Sequence, residues 1–272
     1  MDIRYKRLAS NSIWTLAGNT GSKIIGFLLL PLYTRWLGTN GFVESDLVTT
    51  YATVLMCIMT LSISESIFVF TKNKNEADKK VYFSSSLSFV TILLFIWMLI
   101  WVVLDIVFKA KNVQNSFSNN LWYIYALVVV SFLQQFFQQF VLGVEKIKIY
   151  ALTGIVHTII TFVFSYWLIP GMGVRGYIIA MIGSYLITAL YTFLFSNSIK
   201  YLILGKLDKQ KMQEILKYSI PLIPNGIMWW LISAINRPMM EHYLDYSAIG
   251  IFAVANRFPG VITMIFSVFA TA

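Results

Sequence analysis

The chain of 272 residues is 58% hydrophobic and only 12% charged, and it carries a net charge of +9. Because a soluble domain has about twice that charged fraction, these values exclude an ordinary soluble protein and predict an all-α integral membrane protein. The basic residues lie between apolar segments, as in loops that contact acidic lipid headgroups. We therefore expect membrane lipids rather than nucleic acid as partners.

Eight segments are long and apolar enough to span a bilayer, which requires about 20 residues each. In chain order they cover residues 12–37, 47–70, 83–107, 121–142, 150–169, 176–196, 219–243 and 249–272. The first follows a basic N-terminus, but its length, its polar residues and the lack of a cleavage site favour a retained span over a signal peptide. The chain ends at Ala272 inside the eighth segment, from which we expect a longer protein.

The charges between the spans predict an orientation. If the N-terminus is cytoplasmic, 14 of the 21 Lys and Arg residues fall on the cytoplasmic side and 4 on the outer side. Basic residues are enriched on the cytoplasmic side of membrane proteins. The bias therefore predicts a multi-pass protein with a cytoplasmic N-terminus.

The longest cytoplasmic segment predicts a division into two lobes. We expect a six-helix lobe in residues 1–197, a cytoplasmic linker in 198–217 and the first two helices of a second lobe in 218–272. The second half of the linker has an amphipathic helical pattern, with Met212, Ile215 and Leu216 on one side. The first and seventh spans open on Ser-Ile and close on Leu at the same spacing, which is typical of transporters built from repeats.

Three basic residues lie inside predicted spans, namely Lys23, Arg237 and Arg257. Counted along the helices they fall in the middle to outer part of the membrane, where an isolated charge is costly. Asn19 and Ser22 share a helix face with Lys23, and such a polar face must meet protein or water. We predict that the three cations line one substrate cavity; the alternatives are local pairing, or an Arg237 side chain that reaches the outer headgroups.

One acid and one amide are further candidates for the lining of this cavity. Glu65 is the main acid within the predicted spans, near the inner end of the second. It pairs in part with Lys23, holds a coupling cation or, as a helix-end acid, reaches water or a loop lysine. Asn236 directly precedes Arg237 and is assigned to the same polar lining.

The fourth span carries two pairs of glutamines. Gln134 and Gln138 lie one helical turn apart, as do Gln135 and Gln139, so together they form a broad polar face. These amides either hydrogen-bond sugars and water in a cavity or hydrogen-bond a neighbouring helix.

Several catalytic signatures are absent from the sequence. It has no GxxxxGK[ST] loop, no HExxH motif, no Cys/His cluster and no pair of catalytic acids on a loop. We therefore expect no cofactor, no metal and no enzymatic activity.

Three stretches resemble a known family. SIWTLAGNTGSKIIGFLLLPLYTRWLGTNGF resembles the opening of bacterial polysaccharide or O-antigen flippases, the Wzx-type oligosaccharide exporters of the MOP superfamily. GVEKIKIYALTGI is similar to their inner loop, and SIPLIPNGIMWWLISAINRPMMEHYLDYSAIGIFAVANRFPGVI resembles the start of their second lobe. The resemblance implies a MATE/MOP-like helical bundle with two six-helix lobes around a cavity, of which about 8 of 12–14 helices are present. The family's Asn-Arg or Asp-Arg is here followed by Pro238, which predicts a kink.

The resemblance also implies a function. Such a protein would move an undecaprenyl-pyrophosphate-linked oligosaccharide across the bacterial cytoplasmic membrane by alternating access, with polysaccharide polymerase or glycosyltransferases as further partners. Cations in the cavity would replace the lost hydration of the pyrophosphate. The alternatives are a cation-coupled, MATE-like multidrug exporter, a membrane polysaccharide polymerase or glycosyltransferase, and a structural membrane protein.

Overall fold

The computed structural model describes residues 29–203, 205 and 207–256. These ranges form the helices α1 (Leu30–Met59), α2 (Ile63–Thr71), α3 (Glu76–Ala110), α4 (Ser116–Asn119), α5 (Leu121–Gly143), α6 (Ile147–Phe195), α7 (Lys209–Ser219), α8 (Leu222–Ala234), α9 (Asn236–Tyr243) and α10 (Tyr246–Ala255), with a 3-10 turn at Ser198–Tyr201. Four helices of the described residues are long and apolar enough to cross a membrane, and the bent pair of α7–α8 with α9 makes a fifth candidate. The expectation of an all-helical membrane architecture is confirmed.

The first two predicted spans meet inside α1. Gly38 adopts φ 65° and ψ −178°, which interrupts the helix where the sequence predicts a turn between the spans. The second predicted span is not one continuous helix, and in this respect the prediction was wrong. Within this span, α1 ends at Met59 and α2 begins at Ile63, and Leu61 and Ser62 between them both adopt positive φ. Broken spans of this kind occur in transporters where the freed polar groups find other partners.

The fifth and sixth predicted spans form a tight hairpin within α6. The chain reverses at Gly173, where φ is 57°, three residues after Pro170. A side chain at Gly176 would bring its Cβ to 2.3 Å from the carbonyl oxygen of Leu168, so the return helix approaches closely only because this residue is glycine.

Aromatic packing between α3 and α5 forms much of the core. The rings of Phe83 and Phe140 lie 4.4 Å apart, and buried Trp101 donates its indole N–H to the carbonyl of Leu121 at 2.9 Å. The opposite face of α3 exposes a row of large apolar side chains, among them Ile92, Phe95, Leu99, Val103 and Ile106. An exposed apolar stripe over a helix of this length is a lipid-facing surface.

The linker meets the helix ends formed by residues 71–86 and 143–150, and we call this the Lys211 end. Met212 and Ile215 of α7 are buried, and Leu216 packs beside them, which confirms the predicted amphipathic face. Ser84 on α3 donates to the carbonyl of Tyr201 and accepts from the N–H of Ile203, both at 2.8 Å.

The opposite end brings together residues 38–51, 112–121 and 237–249, and we call it the Arg237 end. The seventh predicted span is broken here, since α8 and α9 are bent by 50° on either side of Ile235. The kink expected from Pro238 is present, and its cause is local. A proline ring clashes with the carbonyl four residues earlier, which is that of Ala234, the last residue of α8.

Candidate substrate cavity

A cavity of about 380 Å³ opens between α1, α5 and α6, and we call it the glutamine cavity. Its polar lining comes from Gln134, Gln135, Gln138, Gln139, Thr49, Thr53, Ser131 and Tyr185, and its apolar lining from Ala52, Met56, Leu127 and Met181. All four predicted glutamines therefore face one space.

The glutamines also bond to neighbouring groups. Gln134 donates to the side chain of Gln138 at 2.9 Å, Gln138 donates to the carbonyl of Tyr150 at 3.4 Å, and Gln135 donates to Glu65. The predicted hydrogen bonds to neighbouring helices are present, and the same amides also line a cavity. A primary amide has two N–H donors and an oxygen with two lone pairs, so these bonds leave capacity for a ligand.

Glu65 lies in the first turn of α2, directly after the break at Leu61 and Ser62. A helix N-terminus favours a negative charge at this position. The side chain is exposed rather than buried. The expectation that Glu65 is the main buried acid is thus corrected, because the break turns it toward open space next to Gln135.

A second cavity, of about 340 Å³, lies between α1 and the helices α8 and α9, and we call it the arginine cavity. It is lined by Asp46, Thr49, Thr50, Thr53, Val54, Gly226, Trp229, Trp230, Ser233, Ala234 and Arg237. Thr49 and Thr53 line both cavities, so α1 forms a common wall.

Arg237 is paired with an acid that sequence reasoning missed. Its Nε lies 2.6 Å from Oδ2 of Asp46, and the side chains are only 13% and 6% exposed. Of the alternatives for Arg237, local pairing is what the structure has, although the pair lines a cavity. Asp46 lies just before the second predicted span, and the sequence holds no signal that would pair it with a residue nearly two hundred positions away.

Glu241 and its neighbours join the same helices nearby. Tyr51 on α1 donates to Glu241 at 3.0 Å, and the backbone N–H of Ser116 donates to it at 2.9 Å. The hydroxyls of Ser116 and Tyr246 lie 3.0 Å apart. We call Tyr51, Ser116, Glu241 and Tyr246 the Glu241 cluster. The indole N–H of Trp230 also donates to the carbonyl of Thr50 at 3.0 Å, and these bonds together hold the helices of the Arg237 end.

The other predicted site residues divide into two groups. Asn236 begins α9, is exposed and lines neither of the two cavities. Asn19, Ser22, Lys23 and Arg257 lie outside the residues that the structure describes. A shared site of three cations therefore stays a prediction.

The fold that surrounds these cavities is that of a MATE-like helical membrane bundle. The chain is similar to the crystal structure of MATE in complex with MaD3S, with a TM-score of 0.60 and 17% identity over 95% of this chain and 65% of that chain. A second solved structure, named only "protein A", has a TM-score of 0.66 and 15% identity over 98% of this chain and 63% of that chain. The chain thus spans a little under two thirds of both structures. No curated protein sequence matches it.

The chain belongs to the polysaccharide biosynthesis protein family, whose model matches residues 8–272. This membership confirms the resemblance noted in the sequence.

Proposed function

We propose that this chain forms part of a flippase that moves an undecaprenyl-pyrophosphate-linked oligosaccharide across the bacterial cytoplasmic membrane by alternating access. The observation that carries the proposal is the sharing of Thr49 and Thr53 between a neutral polar cavity and a cavity that holds an arginine. A lipid-linked saccharide presents the same two chemistries side by side, a neutral glycan and an anionic pyrophosphate.

The glutamine cavity suits the glycan. Sugar hydroxyls both donate and accept hydrogen bonds, and amides and hydroxyls offer both functions in return. Among the described residues, none of those that line this cavity is charged. Neutral donors and acceptors bind weakly enough for a glycan to enter and leave, as transport requires.

The arginine cavity suits the pyrophosphate. A guanidinium holds two phosphate oxygens at once through its planar array of N–H groups. Lys23 and Arg257 are proposed as the further cations of the same site. The lipid tail would remain in the bilayer.

The pairing of Asp46 speaks against a carrier for cationic drugs. Such a carrier needs an acid that can receive the cargo's positive charge, whereas Asp46 already lies 2.6 Å from the guanidinium of Arg237. With Lys23 and Arg257 as the proposed further cations, the site as a whole would be positive, which favours an anionic over a cationic cargo.

The orientation is part of the proposal, with the N-terminus and the Lys211 end in the cytoplasm. Single cysteines at Lys209 and Asn115, both exposed, should react with an impermeant thiol reagent from opposite sides of the membrane. The native Cys57 is first replaced by Ser. Labelling of Lys209→Cys from outside intact cells would contradict this orientation.

Export is tested by measuring surface polysaccharide and protein level together in cells that carry the full-length protein. Arg237→Ala, Lys23→Ala and Arg257→Ala should each impair export per unit of protein, and Arg237→Lys and Arg257→Lys should retain more function than the Ala variants because the charge remains. Arg175→Ala is the matched control, since Arg175 is exposed and lines neither cavity. Normal polysaccharide in all three Ala variants would refute the anion site.

A further inference from the structure

We propose that Asp46 holds Arg237 in the absence of cargo, and that a pyrophosphate displaces Asp46 and thereby loosens the contact between α1 and α9 at the Arg237 end. This inference rests on the proposed function, because it assigns to the cargo's own anion the task of releasing a contact between the two lobes.

The Asp46 carboxylate and an incoming pyrophosphate would both bind the guanidinium of Arg237. Both partners of the pair line the arginine cavity, so an anion that enters this space meets the guanidinium and the carboxylate together. A carboxylate carries one negative charge, whereas a pyrophosphate carries more charge and more acceptor oxygens. The pyrophosphate is therefore the stronger partner for one guanidinium.

The burial of the pair makes the exchange sensitive to an anion. Two buried charges rarely separate in the absence of other partners, because each would remain unpaired in a poorly hydrated place. The pair is therefore stable until an anion arrives to replace the carboxylate. Once released, the carboxylate and the bound pyrophosphate repel each other across the cavity, which favours the movement of Asp46 away from Arg237.

The other contacts of α9 indicate that this helix is the part that moves. Among the residues that the structure describes, this is the ion pair that joins α1 to α9, whereas the others connect residues within α3 or α3 to α7. The eight-residue helix α9 has no buried residue, and a 50° bend at Ile235 separates it from α8. A short helix with little apolar burial, next to a bend, can shift as a unit.

The Glu241 cluster sets the extent of the movement. Its hydrogen bonds link Tyr51 and Ser116 to Glu241, and none of these three residues is among the described residues that line the arginine cavity, so an anion bound there does not meet them. We infer that displacement of Asp46 opens the arginine cavity first, while the Glu241 cluster keeps the helices in register.

The experiment measures the distance across this contact in the full-length protein in nanodiscs. Spin labels at Asn40 on α1 and Met239 on α9, both exposed, report on the separation of α1 from the Arg237 side of α9 in a Cys57→Ser background. The probe is undecaprenyl pyrophosphate, and undecaprenol, which has the same tail without the anion, is the control. Binding of the probe is measured in parallel.

In the parent protein undecaprenyl pyrophosphate should lengthen the distance, and undecaprenol should leave it unchanged. Asp46→Asn should show the longer distance without ligand, no further change with it, and binding tighter by up to about tenfold, since the internal competitor is gone. The double variant Asp46→Arg with Arg237→Asp restores the pair with its charges exchanged, so it should return to the short distance without ligand.

Each comparison has an outcome that would overturn the proposal that the Asp46–Arg237 ion pair is a latch, meaning a contact that holds α9 on α1 until an anion binds. If bound undecaprenyl pyrophosphate leaves the parent distance unchanged, Asp46 does not release α9. If Asp46→Asn and the parent have the same distance without ligand, the ion pair does not hold the contact. If the probe does not bind at all, the proposed function fails, and the ligand-free distances of the two variants still decide whether the pair is a latch.

Discussion

The Lys211 end and the Arg237 end of the molecule are held by different kinds of contact. At the Lys211 end the linker helix buries Met212 and Ile215, and serines of α3 bind backbone groups, as when Ser85 accepts from the N–H of Asp208 at 2.9 Å. At the Arg237 end, α9 has no fully buried residue; Met240 packs on the small apolar cluster of Val43, Leu47 and Ile249, and polar side chains join the helix to α1 and α4.

The difference teaches which end is built to respond to a ligand. Apolar burial and backbone hydrogen bonds have no charged competitor, so they persist whatever enters the cavity. An ion pair that lines a cavity can exchange one partner for a ligand of the same sign. The Lys211 end thus attaches α7 to the rest of the molecule by apolar burial and hydrogen bonds to the backbone, whereas we infer that the proposed cargo breaks the contact at the Arg237 end.

The largest expected effect comes from breaking the ion pair at one partner only. Arg237→Ala removes the ion-pair partner of the buried Asp46 carboxylate and should lower the free energy of unfolding by about 3–5 kcal/mol. Asp46→Ala should cost a similar amount, but the double variant should cost less than the two single changes together. Thermal melts in detergent measure all three.

Lys79→Ala is the control for this series. It removes an ion pair of 2.8 Å whose Glu76 partner is 64% exposed, and it should change stability by less than about 1 kcal/mol. Strict additivity of the two single variants at Asp46 and Arg237 would show that they do not interact energetically.

A steric change should disturb the Lys211 end next most strongly. A Cβ at Gly143 would lie 2.0 Å from Oγ1 of Thr71 and 3.3 Å from the carbonyl oxygen of Phe68. Gly143→Ala should therefore force α5 away from α2, with a loss of about 2 kcal/mol in unfolding free energy. Adding Thr71→Ala should recover part of this loss, because it removes the nearer atom.

Gly171→Ala is the matched control, since nothing lies within 4 Å of its added Cβ. Equal melting temperatures for Gly143→Ala and Gly171→Ala would contradict the tight packing of α5 on α2.

The sequence predicted those features that depend on local pattern. The apolar face of α7, the hairpin near Gly173 and the kink before Pro238 follow from helical periodicity and from the backbone properties of glycine and proline. The polar face of the four glutamines was likewise visible, because residues one turn apart share a side of the helix.

The features that depend on contacts between distant residues could not be predicted in this way. Asp46 lies just before the second predicted span, and only the tertiary fold places it beside Arg237. The break at Leu61 and Ser62 escaped because both residues fit an apolar run, and neither is the glycine that a positive φ usually requires. Tertiary packing overrode local preference at this position.

Loss of a serine anchor should loosen the linker without unfolding the lobe. Ser84→Ala deprives the N–H of Ile203 and the carbonyl of Tyr201 of a common partner, and it should cost about 1 kcal/mol. Hydrogen exchange should accelerate in the segment that follows Tyr201 and remain unchanged in α5. Ser86→Ala is the control, because this buried neighbouring hydroxyl makes no hydrogen bond within the described residues; equal exchange in both variants would mean that Ser84 is not an anchor.

The smallest effect is expected from Tyr201, and it appears only at alkaline pH. Burial and a hydrogen bond to the Glu76 carboxylate raise the pKa of Tyr201 to about 12. In the unfolded chain the tyrosine pKa is about 10. A raised pKa means that the contribution to stability is complete below pH 10 and is lost as the pH rises through the folded value of about 12.

Tyr201→Phe removes this dependence, so the melting temperature of the parent should fall more steeply than that of the variant above pH 10. The other tyrosines ionise in both proteins and cancel in the difference. Parallel curves would show that the turn at Tyr201 does not couple to this ionisation, and the attachment at the Lys211 end would then depend on α7 and the serines alone.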